Sequence, residues 1–476
     1  MEKESKLFRY LQSCTGYELR RIRVMLESPF FNLRPELLRA WDCIRPFFPK
    51  SELPLPGNEI VFAAAYPGKA FDIAKLRHLQ SDLCKQIEAF WQLQLLQQRS
   101  DLRNQLLLQA LTERGLHQDF ESTALTAQTQ LLEQPLRGAA FLRQRFDLAL
   151  LQHDHRVRRS NRGAQAGLQA ALEALDEEYF AHKLRLAAAA INRANVIGES
   201  TELALLPEVL ALIDIAPKFV FEGSLVEIYR LILRTLQAGK DHAAFLELLQ
   251  LLQASEQRFA PETLAELYNF ALNYCVRMVN LAESGFDARL FELYELLISR
   301  GYLREEGHLP VQHYKNFVTL GLRLDFVSKI AAQLTALTGQ LPTDIQPNAL
   351  LYSQAAIAFQ SGDHRKALRL LQQVEFLDVY YHLDAKSLLL KAWYEDGEVE
   401  PLLSLIETFK IYIRRSRKIS EYQRMTYRNQ IKVVQMLVRH RLGSRKPIHA
   451  IRKTLDGLRP IADLAWLERK LAELEI

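Results

Sequence analysis

The sequence predicts an all-α protein of stacked helix pairs, a tetratricopeptide-like helical array or α-solenoid. Leu, Ala, Gln, Arg and Glu dominate the 476 residues, whereas glycine is sparse at 19, and straight side chains lose little rotamer freedom in a helix. Apolar residues recur at three- and four-residue steps, the spacing of one helix face, and strand-like segments are short. Near the carboxyl end, Gly362 and Gly397 stand 35 residues apart, close to the repeat of about 34 residues in tetratricopeptide arrays.

The amino-terminal region, residues 1–100, begins with strong helix signals. Thr15 and Glu18 have the spacing of a capping box, in which each side chain accepts a hydrogen bond from the backbone N–H of the other residue. Further on, apolar residues spaced by three or four predict a long amphipathic helix: Ile73, Leu76, Leu79, Leu83, Ile87 and Phe90. We expect a long-helix middle region at residues 101–215 and the tetratricopeptide-like region at residues 216–476.

The carboxy-terminal region shows the repeat most clearly around Gly362. This glycine ends one predicted helix, and Ala355 and Ala367 are the small residues expected where the two helices of a pair approach most closely. Similar segments surround Gly397 and, more weakly, Gly239, but the separations are not multiples of one length. The sequence therefore predicts degenerate repeats.

Two stretches carry a resemblance to a known family: ELRRIRVMLESPFFN near the amino terminus and GDHRKALRLLQQVEFLDVYYHLDAKSLLLKAWYE near the carboxyl terminus. Together they resemble an uncharacterised family of helical, tetratricopeptide-like proteins common in the Bacteroidota. The resemblance extends over most of the chain, including LDEEYFAHKLRLAAAAINRANV in the middle. It implies a helical organisation and a bacterial origin, and it carries over no catalytic residue.

Cysteine usage and hydrophobicity predict a cytoplasmic protein. The four cysteines lie far apart without a CxxC pair, which argues against a disulfide framework and a zinc knuckle and is typical of a reducing compartment. The first residues contain no apolar core of a signal peptide. No apolar run reaches the roughly 18 residues of a membrane span.

Sequence motifs of common enzymes are absent, so we expect no catalytic activity, no cofactor and no metal site. The chain lacks a GxGxxG after a strand, a phosphate loop, HExxH and GxSxG. His153 and His155 stand two positions apart, so they diverge on a helix, and we expect them in solvent. We expect the same of the acidic cluster at residues 176–178. An enzyme with a scattered active site is the most distant alternative.

The strongest functional signal is a basic segment, residues 410–453. It contains 14 Lys and Arg residues and one acid, Glu421, and therefore carries +13. Since the whole chain carries +5, the other residues carry −8, the difference between the two values. Eight basic residues stand at four-residue steps or beside such positions and are the candidate binding residues: Lys410, Arg414, Arg415, Arg417, Lys418, Arg424, Arg428 and Lys432.

These basic rows are expected on the surface, because the first helix of the segment has a separate apolar stripe: Leu402, Leu405, Ile406, Phe409 and Ile413. Three tyrosines among the charges could stack on nucleic-acid bases: Tyr412, Tyr422 and Tyr427.

Four interpretations of this surface stay open. Acids of the preceding helix could neutralise it: Glu395, Asp396, Glu398 and Glu400. Otherwise an acidic protein could dock by charge complementarity, or nucleic-acid phosphates could bind; an anionic membrane is weaker for lack of an apolar anchor. Stacked helix pairs usually bind peptides or proteins, so we expect a non-catalytic scaffold or adaptor with a protein partner. A nucleic-acid-binding protein using the basic face is the alternative.

Overall fold

The computed structural model describes residues 5–49, 54–159, 164–197, 201–215, 223–237, 239–281, 283–374, 379–416, 419–443 and 447–475. Within these ranges every regular element is a helix, apart from an isolated β-bridge between Glu305 and His308. The predicted all-α fold, with helices packed on their neighbours, is confirmed. None of the described helices combines the length and hydrophobicity that a membrane crossing requires.

The chain divides into two compact units, Met1–Phe180 and Ala181–Ile476. The first unit contains α1 (Lys6–Ser13), α2 (Gly16–Glu27), α3 (Pro35–Ile44), α4 (Asn58–Ala65), α5 (Ile73–Gln98), α6 (Ser100–Glu113), α7 (His117–Glu133), α8 (Ala139–Arg159) and the beginning of α9 (Ala164–Ile197). A short 3₁₀ turn, Arg45–Phe47, follows α3.

The second unit contains the end of α9 and the helices up to the carboxyl terminus. These are α10 (Leu206–Ile215), α11 (Leu225–Gln237), α12 (His242–Ala254), α13 (Pro261–Asn280), α14 (Phe286–Arg300), α15 (Val311–Arg323), α16 (Val327–Thr338), α17 (Gln346–Gln360), α18 (His364–Leu371), α19 (Val379–Asp396), α20 (Val399–Arg415), α21 (Glu421–Arg441), α22 (Ile448–Asp456) and α23 (Leu464–Glu475). A second 3₁₀ turn, Glu256–Arg258, follows α12.

Side-chain caps fix where several helices begin. At the start of α2 the Thr15 N–H donates to Glu18 Oε2 (2.7 Å) and the Glu18 N–H donates to Thr15 Oγ1 (3.2 Å), which confirms the predicted capping box. Ser420 and Gln423 form a second capping box, which was not predicted, at the start of α21. Each cap satisfies N–H groups that have no partner within the helix and is worth about 1 kcal/mol.

The helices of the first unit share apolar cores. Trp41 lies fully buried in the core formed by α1–α5. The stripe predicted for α5 supplies much of this core: four of its six residues are buried, Phe90 is partly buried and Ile73 is exposed. A smaller core of Leu108, Phe120 and Ala124 lies between α6 and α7.

Helices α17 and α18 show the close contact predicted around Gly362. Ala355 on α17 and Ala367 on α18 are both 0% exposed, so a larger side chain at either position would have to enter the packed interior. Gly362 has a φ of +82°, a left-handed conformation that glycine adopts without steric cost. Asp363 then caps α18 by accepting a hydrogen bond from the Lys366 N–H (3.0 Å). The turn and the two alanines together allow the helices to pack tightly.

A polar network joins α19 and α21 to the residue before α23. Asp463 accepts hydrogen bonds from Ser387 Oγ (2.7 Å) and Gln430 Nε2 (2.9 Å), and it pairs with Lys391 Nζ (2.7 Å). Desolvation by the surrounding protein raises the pKa of the Asp463 carboxyl, but Lys391, Ser387 and Gln430 outweigh it, so the pKa is lowered. The ionised carboxylate therefore holds α21 against α19.

His155, which was expected in solvent, is only 1% exposed. Its ring stacks on Phe120 with 3.6 Å between centroids, and its Nε2 lies 3.3 Å from Nδ1 of His117. Thr112 Oγ1 donates to the Leu108 carbonyl (2.9 Å) and therefore accepts from Nδ1–H of His155 (3.2 Å). The expectation was wrong because α6 and α7 enclose this position.

The acidic cluster at residues 176–178 was also expected in solvent, but two of its three residues are buried. Glu177 and Glu178 are each 7% exposed and pair with Arg145 and Arg143 of α8. These arginines lie 32 and 35 residues earlier in the sequence, so the local pattern gave no sign of them.

Candidate functional site

The candidate basic residues lie on α20 and α21, which are consecutive and pack against each other. Four of them, Lys410 and Arg414 on α20 with Arg428 and Lys432 on α21, line one cavity of about 470 Å³. We call this cavity the basic groove. Its remaining lining residues are Glu407, Ile411, Asn429, Ile431 and Gln435.

The apolar stripes of the two helices explain why these charges share one face. On α20, four of the five residues of the predicted stripe are buried, and Leu405 is partly buried. On α21, the buried apolar residues are Ile431, Val433, Val434, Leu437 and Val438. Since both helices turn these residues toward the core, the four-residue steps of Lys and Arg are left at the surface.

The charges of the basic groove are largely uncompensated. Lys410 Nζ pairs with Glu407 Oε1 at 2.9 Å, and Gln435 Nε2 also donates to that oxygen at 3.4 Å. Within the described part of the chain, Arg414, Arg428 and Lys432 form no ion pair and are exposed. One carboxylate therefore faces four cations, and it lies toward one end of the groove.

Arg424 has a different role from the other candidates. Its guanidinium donates to the carbonyl oxygens of Ser416 and Ile419 (both 3.1 Å) and of Ile413, where α20 ends. Its Nε also lies 3.2 Å from Glu421 Oε2, and the side chain is only 17% exposed. Arg424 thus satisfies backbone acceptors at a helix end and is largely withdrawn from solvent.

The remaining three candidates are not part of the groove lining. Arg415, the last residue of α20, is exposed and follows the groove residue Arg414 in the sequence. Arg417 and Lys418 lie outside the described residues.

Two of the four acids expected to neutralise the basic rows are engaged elsewhere. Glu395 accepts from Trp466 Nε1 (2.7 Å) and pairs with Lys470 (2.9 Å), both on α23. Asp396 pairs with Arg365 of α18 at 3.3 Å. The other two, at positions 398 and 400, are exposed. Neutralisation by Glu395 and Asp396 is therefore excluded by their own partners.

The three tyrosines near the basic rows differ in accessibility. Tyr412 stacks on His382 of α19, with 3.9 Å between ring centroids. Tyr427 donates a hydrogen bond to Asp384 of α19, and burial first, then this carboxylate, raises the pKa of its hydroxyl. Only Tyr422 of the three is exposed, at 67%. Two of the three aromatic rings therefore support packing inside the protein.

The titratable group in the stacked pair of Tyr412 and His382 is the imidazole of His382, which α19 contributes against α20. Burial, followed by the positive charge of Lys386, lowers the pKa of His382 to about 4. Burial also lowers the pKa of Lys386 itself. His382 is therefore neutral near pH 7.

The uncharged part of the groove was not predicted from the sequence. Ile411 lines it and is 41% exposed, and Leu403, eight positions earlier on the same face of α20, is 40% exposed. The signal was present, because Leu403, Glu407 and Ile411 follow four-residue steps, but the apolar stripe on the buried face of α20 was the stronger pattern.

A second cavity, of about 300 Å³, lies among α6, α7 and α8 of the first unit. Its charged residues are paired locally: Arg99 with Asp101 (2.5 Å), and Arg143 with Asp147 (3.1 Å). No group of three or more His, Cys, Asp or Glu side chains in the described ranges is arranged to hold a metal ion. The basic groove is therefore the site with the most distinctive chemistry.

Comparison of the chain with models of protein families, with curated proteins and with solved structures gives no match in any of the three.

Proposed function

We propose that this chain is a non-catalytic, tetratricopeptide-like scaffold or adaptor of a bacterial cytoplasm that binds an acidic segment of a partner protein in the basic groove. The observation that carries this proposal is the placement of Lys410, Arg414, Arg428 and Lys432 around one cavity. Glu407 is the only carboxylate among the residues described there. A ligand with several negative charges would complete the electrostatics of this surface.

Repulsion between like charges on each helix also favours binding of an external acidic partner. Lys410 and Arg414, like Arg428 and Lys432, are like-charge pairs at i,i+4, each of which destabilises a helix by about 0.2–0.5 kcal/mol. An acidic ligand would convert this cost into attraction, and complementary charge would speed encounter and select partners. Arg is also suited to bidentate bonds with carboxylates.

Nucleic acid is the second candidate for the same groove. The observation in its favour is Tyr422, which is 67% exposed close to the basic rows in sequence and offers a ring for base stacking. Against it, Tyr412 and Tyr427 are engaged with His382 and Asp384. With only one accessible ring, few bases could stack on this surface. We therefore favour the acidic protein as the partner.

The test is a binding titration with the variant Arg414→Gln/Arg428→Gln/Lys432→Gln. The probes are a fluorescent Glu-rich peptide and a single-stranded oligonucleotide, each at about 50 mM salt, where charge screening is weak. Three exposed charge contacts at about 0.5–1 kcal/mol each predict a loss of roughly 10- to 150-fold in peptide affinity. The matched control is Arg20→Gln/Arg21→Gln/Arg77→Gln, which removes the same charge from exposed positions in the first unit.

Equal losses of affinity in both triple variants would show that net charge alone attracts the peptide, and the groove proposal would fail. Oligonucleotide binding that is tighter than peptide binding and lost only in the groove variant would replace the acidic protein with nucleic acid.

A further inference from the structure

We infer that the occupant of the basic groove is one acidic amphipathic α-helix of a partner protein, lying along α20 and α21. This inference rests on the proposed function, since it specifies the conformation and chemistry of the acidic partner. Two features carry it: an exposed apolar line beside the charges, and an uneven distribution of charge along the groove.

The apolar line consists of Leu403 and Ile411 on α20, both about two-fifths exposed. Eight residues separate them, so they stand about 12 Å apart along the helix axis at a rise of 1.5 Å per residue. A helix laid alongside α20 presents apolar residues at the same interval when they are seven or eight positions apart. This is the recognition pattern of a helix in a groove, and purely ionic binding would leave both side chains in water.

The charges of the groove match carboxylates on such a helix. Arg428 and Lys432 stand one turn apart, about 6 Å along α21, and so do Lys410 and Arg414 on α20. Carboxylates at i and i+4 of the incoming helix have the same repeat. The two basic rows lie on different helices and line the same cavity, so acidic residues of one partner helix can meet both rows.

Glu407 gives the groove a polarity. Its carboxylate is held by Lys410 (2.9 Å) and Gln435 (3.4 Å), whereas Arg414 and Arg428 stand toward the junction between α20 and α21. The acidic residues of the partner are therefore concentrated opposite Arg414 and Arg428, and an uncharged or basic residue lies opposite Glu407. Glu407→Gln should consequently tighten the binding of an acidic helix.

An α-helix fits this site better than an extended segment. All regular elements in the described ranges are helical, so the groove walls offer no strand edge to pair with the backbone of an extended peptide. An extended ligand would therefore have to satisfy its N–H and C=O groups through side chains or water, whereas a helix satisfies them internally. The exposed charged side chains of the groove can recognise the side chains of a helical ligand without any contact to its backbone.

The experiment compares three blocked peptides by fluorescence anisotropy with the full-length chain. Each has about 18 residues, long enough for helix formation to be measurable. The first has glutamates flanking two leucines seven positions apart; the second has the same composition with one leucine moved to the opposite helix face; the third has alanines in place of both leucines. We expect the first to bind at least tenfold more tightly than either of the others.

Ile411→Asp should remove this tenfold preference, whereas Leu212→Asp, at an exposed aliphatic position on α10, should retain it. Circular dichroism should show that the first peptide gains helicity on binding.

The outcomes separate this inference from the proposed function. Equal affinity for all three peptides, lost in Arg414→Gln/Arg428→Gln, would overturn the helix but leave the acidic partner intact. Absence of binding by every acidic peptide would overturn both. Displacement of the first peptide by a single-stranded oligonucleotide at lower concentration would assign the groove to nucleic acid. A concentration-dependent dimer that this peptide dissociates would assign it to a second copy of the chain.

Discussion

Gly321 offers a sharp test of helix packing in the second unit, because a single added methyl group meets two other helices. A Cβ at this position of α15 would lie 2.6 Å from Cδ1 and 2.7 Å from Cγ1 of Ile330 on α16, and 2.8 Å from Cε2 of Phe291 on α14. Carbon atoms pack best at about 3.5–4.0 Å. Gly321→Ala therefore requires shifts of roughly an ångström in two neighbours at once.

The expected magnitude follows from two opposing terms. Alanine favours the helix over glycine by about 1 kcal/mol, whereas overpacking a well-packed core costs about 1–3 kcal/mol. Three short contacts from two helices place Gly321→Ala at the upper end of that range. We therefore expect a net loss of about 1–2 kcal/mol in the free energy of unfolding.

Urea unfolding followed by circular dichroism measures this loss. With a slope of about 2 kcal/mol per molar urea, the midpoint should fall by roughly 0.5–1 M. Gly16→Ala is the control, because nothing lies within 4 Å of a Cβ there, and its midpoint should be unchanged or slightly higher. A Gly321→Ala midpoint equal to or above that of the unmodified chain would refute the close approach of α14, α15 and α16.

Three further predictions concern the carboxy-terminal helices. Ala367→Trp should unfold the α17–α18 pair, since the site is 0% exposed and overpacking costs about 1–3 kcal/mol or more. An unchanged melting temperature would contradict the close packing of α18 on α17. Arg424→Gln should lower stability by about 1–3 kcal/mol, because partly buried carbonyl acceptors lose a charged donor. Arg439→Gln, at an exposed position of α21, should change stability by less than about 0.5 kcal/mol, and equal effects in urea unfolding would refute the capping role. The pKa of His382 is lowered from 6.5 to about 4 in the folded chain. As the pH falls, this histidine therefore becomes protonated in the unfolded chain before it does so in the folded chain. Stability should therefore be complete above pH 6.5 and fall as the pH drops toward 4, and His382→Phe should flatten urea midpoints over this window; an unaltered pH dependence would contradict it.

Local patterns in the sequence were sufficient for the fold. The capping box at Thr15 depends on residues three apart, and the burial of Ala355 and Ala367 depends on one tight turn at Gly362. The surface position of Arg414, Arg428 and Lys432 followed in the same way from the apolar stripes of their own helices. Each of these predictions needed only the periodicity of one or two helices.

The partners of individual side chains could not be predicted, because they come from distant parts of the chain. In the sequence, Arg424 looks like one more exposed cation in a basic row. In the structure, its guanidinium donates hydrogen bonds to carbonyl oxygens at the end of α20. Tyr427 finds Asp384 at a separation of 43 residues. His155 is enclosed by α6 and α7. In each case tertiary packing decides whether a polar side chain is available to a ligand.

Accessibility of the individual arginines is the most direct measure of the central claim, that the basic groove faces solvent. Labelling with an arginine-selective dicarbonyl reagent, followed by mass spectrometry, reports it residue by residue. We predict fast modification of Arg414 and Arg428 and slow modification of Arg424, whose guanidinium is bound to backbone carbonyls. Protection of Arg414 and Arg428 to the level of Arg424 in the isolated chain would contradict an open groove.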